Sequence, residues 1–333
     1  MKELTSEEKK EIRSFWRQYS KRCNKLYNIN QYNIYNRYKQ DGESLIDYFP
    51  DDFYYCYIDD YLTNYHSSIK VDNKNMYELY FHDINKPLCV IRKLNGVLLD
   101  ADYNAINIDQ AIELCKKHQS VVIKKAINSD GGHGIQFVKD CPNNQDKLKE
   151  LLTTNNDFIA QTIIQQHEIL AKFNPQSVNT IRIMTIVLNG KATFVSSVLR
   201  MGANGAVVDN ASSDGVFCGI NNEGYLKDRA YDAYGNIYYK HPQGQSFENT
   251  QIPSFDKCVE IAKKLSLRFL NYTRLISWDF SISKEGEPIL VEANLTGGGI
   301  NMHQMCNGPI FKPFKKEILD EVFSKSKNLR KRL

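Results

Sequence analysis

The segment SWDFSISKEGEPILVEAN, residues 277–294, admits few conformations. Two runs that alternate apolar and polar residues flank a glycine-bearing turn, which is the pattern of a β-hairpin. With Glu285-Gly286 as a two-residue turn, Trp278 faces Ala293, Phe280 faces Val291 and Ile282 faces Ile289. One side of the hairpin is then wholly apolar. On the other side Asp279 lies directly opposite Glu292, and Asn294 follows on the same side because strand side chains alternate. Carboxylates paired across strands repel each other. A divalent cation between them removes that penalty, and an oxygen donor set suits Mg2+, which keeps waters and substrate phosphates as its other ligands. Asp279, Glu292 and Asn294 are therefore the candidate metal ligands. The alternative is a solvated pair of carboxylates on an exposed face, and a slip of one residue in the turn register would remove the pairing.

A second feature is SVVIKKAINSDGGHGIQFV, residues 120–138. An apolar run delivers Lys124, and Ser129, Gly131, Gly132 and Gly134 follow before the next strand. Such a loop brings backbone N–H groups close to phosphate oxygens because it lacks Cβ atoms. It fits neither the P-loop pattern nor GxGxxG, and by itself it reads equally well as a hairpin turn. The lysine is more telling, because burying it requires an anionic partner. Arg182 in NTIRI and Arg200 in VLR also end apolar runs. Internal ion pairs would satisfy them, and so would a triphosphate or an acyl phosphate.

Thr5 and Glu8 form a capping box that opens one long amphipathic helix carrying Ile12, Phe15, Trp16, Tyr19, Cys23 and Leu26. Residues 27–70, rich in Tyr, Asn and Asp, read as short helices and loops. Asp41, Glu43, Asp47, Asp51, Asp52, Asp59 and Asp60 would repel phosphates there, so the tyrosines suit packing better than stacking on single-stranded nucleic acid. Hairpins are expected around Asn95-Gly96 and Asn189-Gly190, and helices over 109–118 and 254–271. This irregular alternation is α+β and not a doubly wound sheet. From Phe311 a solvated terminal helix carries Phe314, Ile318 and Val322, and its basic end also suits weak contact with a membrane surface.

The net charge of +4 gives no whole-molecule attraction to nucleic acid or membrane. The eight cysteines are scattered and form no C-x-x-C pair, unlike a structural zinc site. The first residues lack the apolar stretch of a secretory signal, and no run reaches the ~18 apolar residues of a membrane span. Scattered cysteines without an export signal fit a reducing compartment, so a cytoplasmic location is expected.

Glycine loop, connecting segment and carboxylate hairpin, in this order, resemble the ATP-grasp superfamily. The chain is particularly similar to its sugar-transfer-associated family, through VIKK…GGHGI, IAQTIIQQH, SVNTIRI, LRMG…VVDN, HPQG and SWDF…ILVEAN, between about residues 71 and 310. The resemblance implies an α+β ATP-grasp fold, with two subdomains enclosing ATP and a helical N-terminal extension. Residues 1–70 would be the extension, 71–165 the small lid subdomain, 166–320 the C-terminal subdomain and 321–333 a basic tail. It implies ATP and Mg2+ (two ions) as cofactors, with Lys74, Lys124, Ser129, Gly131, Gly132 and Gly134 around the phosphates. Gln161, Thr162, Ile163 and Ile164 would hold adenine, and Glu168 the ribose. Arg182 and Arg200 would stabilise the transferring phosphoryl group, and His303 would accept the amine's proton. Asp209, Asn210, His241, Gly297, Gly298 and Gly299 would lie on the substrate side.

The implied activity is ADP-forming carboxylate–amine ligation through an acyl phosphate. The family context suggests a sugar acid joined to an amino acid or other small amine in surface-polysaccharide synthesis. The small-molecule acid and amine are the expected partners, with no nucleic acid and no transmembrane segment. A kinase acting on a hydroxyl, or a nucleotide-binding module without catalysis, are the alternatives. Two departures stand out. Residues 1–70 are too short and too helical for the Rossmann-like domain that often opens ATP-grasp proteins, and Gln161 stands where many relatives carry glutamate.

Overall fold

The structure is a computed structural model that describes residues 3–127, 134–209, 215–327 and 331. Ser129, Gly131, Gly132 and Asn210 lie outside the described residues. Two antiparallel sheets organise the remainder. The smaller, in the order β2-β1-β5-β3-β4, comprises β1 (Cys89–Leu94), β2 (Val97–Asp100), β3 (Ser120–Lys125), β4 (Gln136–Lys139) and β5 (Phe158–Thr162). Asn95 and Gly96 both take positive φ, which gives the β1–β2 turn a twist that matches its strands. Helices Ile108–Lys116 and Gln145–Thr154 bury Ile112, Leu148 and Leu151 against Val121, Ile123 and Phe158.

The larger sheet runs β10-β9-β8-β7-β6-β11-β12. Its strands are β6 (Thr180–Leu188), β7 (Lys191–Met201), β8 (Val216–Ile220), β9 (Leu226–Tyr231), β10 (Ile237–Tyr238), β11 (Leu275–Ile282) and β12 (Pro288–Asn294). Helix Phe255–Ser266 covers one face, in a core with Ile181, Ile183, Trp278 and Phe280. On the other face Met184, Ile186, Leu188 and Leu275 pack with Trp16, Phe53, Tyr54, Ile318 and Val322, beneath the N-terminal helices and the last helix. The pairs Leu275↔Ile186, Ser277↔Met184 and Asp279↔Arg182 lie along this same face. The helical layer therefore covers one end of a face whose other end carries Asp279 and Arg182.

Three expectations change. The first helix stops at Arg17, and Cys23–Lys25 is a separate turn of 3-10 helix. Ser20 Oγ accepts the Arg22 N–H at 3.2 Å, a local bond that competes with helix continuation, while Tyr19 turns to stack on Phe323 with centroids 4.9 Å apart. The last helix, Lys315–Lys325, is not merely solvated: it buries Ile318, Leu319 and Val322. The third change concerns the hairpin. Asp279 does face Glu292, but Phe280 pairs with Leu290 and Ile282 with Pro288, because Val291 is an extra, bulged residue. Ser283 N–H bonds Glu287 O at 2.8 Å, and Gly286 takes φ +88°, so the turn holds three residues. The longer turn shifts the register by one and the bulge shifts it back before Asp279.

The tyrosines of the N-terminal layer are largely interior. Tyr27, Tyr32, Tyr35, Tyr48, Tyr54 and Tyr57 are buried, and several polar ends have partners. Trp16 Nε1 donates to Tyr32 Oη at 2.9 Å, and Tyr35 Oη donates to Phe49 O at 2.9 Å.

Candidate functional site

A cavity of about 640 Å3 is lined by both sheets and by the segment joining them. This lies within the roughly 300–1,000 Å3 typical of small-molecule sites. The smaller sheet contributes Val122, Lys124 and Phe137; the joining segment, Thr162 to Gln166; the larger sheet, Thr180, Arg182, Arg200, Asp279, Val291, Glu292 and Asn294. Lys74, Asp209 and Gly297 complete its charged part and rim. The bulge explains Val291, which leaves the apolar side of the hairpin and lines the cavity beside Glu292.

Every acid here is matched to a base. Arg182 grips Asp279 through Nε to Oδ1 at 2.8 Å and Nη2 to Oδ2 at 2.7 Å. Arg200 Nη2 donates to Asp279 Oδ2 at 3.2 Å, and its Nε donates to Thr180 Oγ1 at 3.0 Å. The Thr180 hydroxyl in turn donates to Asp209. Asn294 Nδ2 reaches Asp279 Oδ2 at 3.3 Å, and Lys74 Nζ meets Glu292 Oε1 at 2.5 Å. Burial alone would raise the Asp279 carboxyl, but Arg182 and Arg200 outweigh it and hold it below the usual carboxylate range. For Asp209 burial prevails and pushes the carboxyl up, against the pull of Arg200 and Thr180. Lys124 stands apart. Among the described residues it has no hydrogen-bond or ion-pair partner, and burial foremost lowers it to about 8 despite Glu292 nearby.

The other end of the cavity is apolar and edged by backbone. His167 N–H bonds Ile282 O at 2.8 Å and Lys284 N–H bonds Gln165 O at 3.0 Å, which fastens the joining segment to the turn end of the β11–β12 hairpin. Asp279 lies three residues along β11 from Ile282, about 10 Å at roughly 3.3 Å per residue. Thr162 spends its N–H on Leu88 O at 3.0 Å, whereas Ile163 and Ile164 make no backbone hydrogen bond among the described residues.

Residues 57–319 match the family model described as sugar-transfer associated ATP-grasp. The chain belongs to that family. No curated protein matches it. Solved structures that align with it include D-alanyl-alanine synthetase A from Vibrio cholerae O1 biovar eltor str. N16961, at 15% identity and TM-score 0.43, over 76% of this chain and 65% of that one. L-amino acid ligase from Bacillus licheniformis aligns at 12% identity and TM-score 0.41, over 76% and 47%. D-Ala:D-Ser ligase from Enterococcus faecalis aligns at 14% identity and TM-score 0.44, over 78% and 62%. The chain thus spans less than two thirds of each of these proteins.

Within this ATP-grasp fold the residues singled out from sequence divide into two groups. Lys74, Lys124, Thr162, Ile163, Ile164, Arg182, Arg200, Asp209, Asp279, Glu292, Asn294 and Gly297 line one cavity. Gln161, Glu168, Gly134, Gly298, Gly299, His241 and His303 are not among its lining residues. Gln161 is buried within β5, Glu168 is exposed at the start of helix Glu168–Ala171, and Gly134 follows the glycine loop at φ +80°. Gly298 O accepts the Tyr54 hydroxyl at 2.7 Å, and a Cβ on Gly299 would sit 3.3 Å from Tyr55 Oη. His303 is fully buried, with Nδ1 3.0 Å from Ser196 Oγ; burial foremost, then Arg182, pushes it down to about 3. His241 is buried edge-on to Phe173 and is pushed down by burial to about 4.

Thr180 and Gln166 were missed. Thr180 was legible, since it sits two residues before Arg182 on the same strand face. Gln166 was not. Its Nε2 bonds Asn174 O at 3.0 Å and Ser177 O at 2.7 Å, and its Oε1 accepts the Asn179 N–H at 2.9 Å, a role that only the folded loop defines.

The donor set fits magnesium and nucleotide. Two carboxylates and a carboxamide are hard oxygen donors. Among the described residues no group of three or more His, Cys, Asp or Glu could hold a metal, so the remaining coordination would fall to water and phosphate oxygens. The Lys124 ammonium, which has no hydrogen-bond or ion-pair partner among the described residues, is complementary to such a phosphate.

Proposed function

We propose that this protein is an Mg-ATP-dependent, ADP-forming carboxylate–amine ligase. In the family's context its acid would be a sugar acid and its amine an amino acid or another small amine, joined during surface-polysaccharide synthesis. The observation that carries the reading is the polarity of the one cavity: free amides and apolar walls at the joining segment, and opposed Asp279 and Glu292 among four cations about 10 Å away along β11. That spacing suits a purine at one end and a polyphosphate at the other.

Ile163 and Ile164 would read the base through their backbone, between the walls of Val122, Phe137 and Val291. Asp279, Glu292 and Asn294 would hold magnesium, which when bound neutralises charge on the terminal phosphates. Lys124 would find its missing anion in a phosphate oxygen. Arg182 and Arg200 would stabilise charge on the transferring phosphoryl group, where fixed donors act most strongly. The acid would enter beside Gly297 and attack the γ-phosphorus. ADP leaves with the broken P–O bond's electrons, and the amine then displaces phosphate from the acyl phosphate.

The test supplies Mg-ATP with a library of sugar acids and amino acids, and identifies products by mass spectrometry. An acid labelled with 18O in its carboxylate should pass one labelled oxygen to inorganic phosphate. Label in AMP, or amide formed without transfer of label, would overturn the mechanism. A phosphorylated alcohol would replace the ligase by a kinase.

A further inference from the structure

Lys74 belongs to two parts of the molecule at once. Its backbone is fixed to the smaller sheet, with its N–H on Ala126 O at 2.9 Å. The next residue is clamped there as well: Asn75 O accepts Arg92 Nη1 at 2.7 Å and Tyr103 Oη at 2.8 Å, and Asn75 Nδ2 donates to Lys93 O at 3.0 Å. Arg92 is wholly buried, with its guanidinium 3.9 Å from the Tyr103 ring centroid and 3.1 Å from Glu78. So deep a charge persists only where several partners hold it. The Lys74 ammonium, by contrast, crosses to the larger sheet and meets Glu292 at 2.5 Å.

Both carboxylates of the proposed metal site are thus already neutralised by cations of the chain. A divalent ion arriving alone competes with the Lys74 ammonium for Glu292, and giving up that contact costs a largely buried charge one of its partners. A nucleotide changes that balance, because its phosphate oxygens offer the ammonium a new anion.

We propose that Lys74, seated by Arg92 and Asn75, guards Glu292 against a divalent cation until nucleotide phosphate draws the ammonium away, so that metal and nucleotide load together. Arg92 acts through Lys74 and is a positioning residue. The inference rests on the reading of this cavity as an Mg-ATP site. Its distinguishing consequence is a pair of effects of opposite sign in one variant. Removing the guard should weaken nucleotide binding but strengthen binding of the metal alone.

The experiment titrates the full-length protein with Mn2+ alone, and with ADP in the presence of Mn2+, by calorimetry and by electron paramagnetic resonance of free Mn2+. Lys74→Met should bind Mn2+ alone about tenfold more tightly than the wild type and Mn-ADP about tenfold more weakly, an ordinary size for coupling between sites. Arg92→Lys, which keeps the charge but not the forked contacts, should shift both affinities in the same directions by less. Lys124→Met removes a nearby cation that is not paired with Glu292, and should strengthen Mn2+ binding without nucleotide by much less than Lys74→Met does. If Arg92→Lys fails to fold, Lys74→Met and Lys124→Met decide the matter.

Unchanged or weakened Mn2+ binding in Lys74→Met would overturn the guard while leaving the nucleotide site standing. Equal gains in Lys74→Met and Lys124→Met would also overturn it, since charge alone would then explain the effect. Failure of the wild type to bind ADP at any Mn2+ concentration would overturn the nucleotide reading and the guard together.

Discussion

The smaller sheet and the N-terminal helices both flank the seven-stranded sheet, yet they are held in different ways. The core of the smaller sheet draws all its buried residues from its own segment, Val90 to Ala160. The N-terminal layer has no such core. Its Trp16, Tyr32, Phe53 and Tyr57 share one with Met184, Ile186 and Leu275 of the larger sheet and with Ile318 and Val322 of the last helix. A segment with a private core can move as a body about its connections, as a cover over a cavity must. A segment with a shared core cannot leave without exposing its partner.

The largest expected effect follows directly. Trp16→Ala should cost about 3–5 kcal/mol, because Trp16 is fully buried, lies 4.5 Å from Phe53 between ring centroids and donates to Tyr32. Hydrogen exchange should then accelerate in β6 and β11. Leu148→Ala should cost about 2–5 kcal/mol, with faster exchange confined to the smaller sheet. Equal acceleration in both sheets by Leu148→Ala would abolish the distinction between private and shared cores.

The two carboxylates of the proposed metal site differ in the same way, because Asp279 is fixed to Arg182 and Arg200 within the larger sheet and Glu292 to Lys74, whose backbone is tied to the smaller sheet. Asp279→Asn should lose turnover and also about 3–5 kcal/mol of stability, since the largely buried Arg182 and the buried Arg200 are left opposite a neutral group. Glu292→Gln should lose turnover by about 100-fold or more, as for removal of one strong electrostatic contact, with a smaller loss of stability than Asp279→Asn, because the Lys74–Glu292 pair is less buried than the pair of Arg182 with Asp279. Thermal melts alongside single-turnover assays separate these outcomes. Equal destabilisation by both variants would contradict the difference in burial.

A smaller effect concerns pH. Lys124 titrates near 8 where an ordinary lysine does so near 10.5, chiefly because of burial, with Lys74, Glu292 and Asp209 as its charged neighbours. A bound phosphate favours the ammonium. ADP binding at pH 9 should therefore take up a proton from solvent, and binding at pH 7 should take up almost none. Affinity should be level below pH 7 and fall as pH rises through 8, by at most about tenfold per unit. Calorimetry in buffers of different ionisation enthalpy measures the proton directly, and Lys124→Met should remove it. Equal affinity at pH 7 and pH 9 in the wild type would show that this lysine does not meet the phosphates.

What the sequence revealed was what is local. Alternation placed Asp279, Glu292 and Asn294 on one face, and charges ending apolar runs marked Lys124, Arg182 and Arg200. The Asp279–Glu292 pairing was right even though the assumed turn was one residue short, because the Val291 bulge compensates. Neither bulge nor turn length has a signature in that run of residues. The end of the first helix depends on Ser20 and on a ring contact with Phe323, at the far end of the chain. The shared core could not be read at all, because it joins residues 4–62 to strands and a helix distant in sequence, and no periodicity records a partner.

The smallest expected effect lies where the shared-core layer reaches the cavity. Along β11 from the joining segment come Asp279, then Ser277 and Leu275 on the same face, and the N-terminal layer begins over Leu275. Its near edge is Tyr55, 38% exposed, with its hydroxyl beside Gly299 and within the field of Arg182. That hydroxyl has no hydrogen-bond partner among the described residues. An acid approaching the terminal phosphate from the side opposite the nucleotide would meet it. Tyr55→Phe keeps the ring and removes only the hydroxyl, so KM for the acid should rise several-fold, the worth of about one hydrogen bond at 0.5–1.5 kcal/mol. Mn-ADP affinity and melting temperature should stay as in the wild type. Steady-state kinetics with the acid found in the product screen, alongside ADP calorimetry, reads both. A loss confined to nucleotide binding would place Tyr55 on the nucleotide side. An unchanged KM would mean that the helical layer supports the site only through the sheet beneath it.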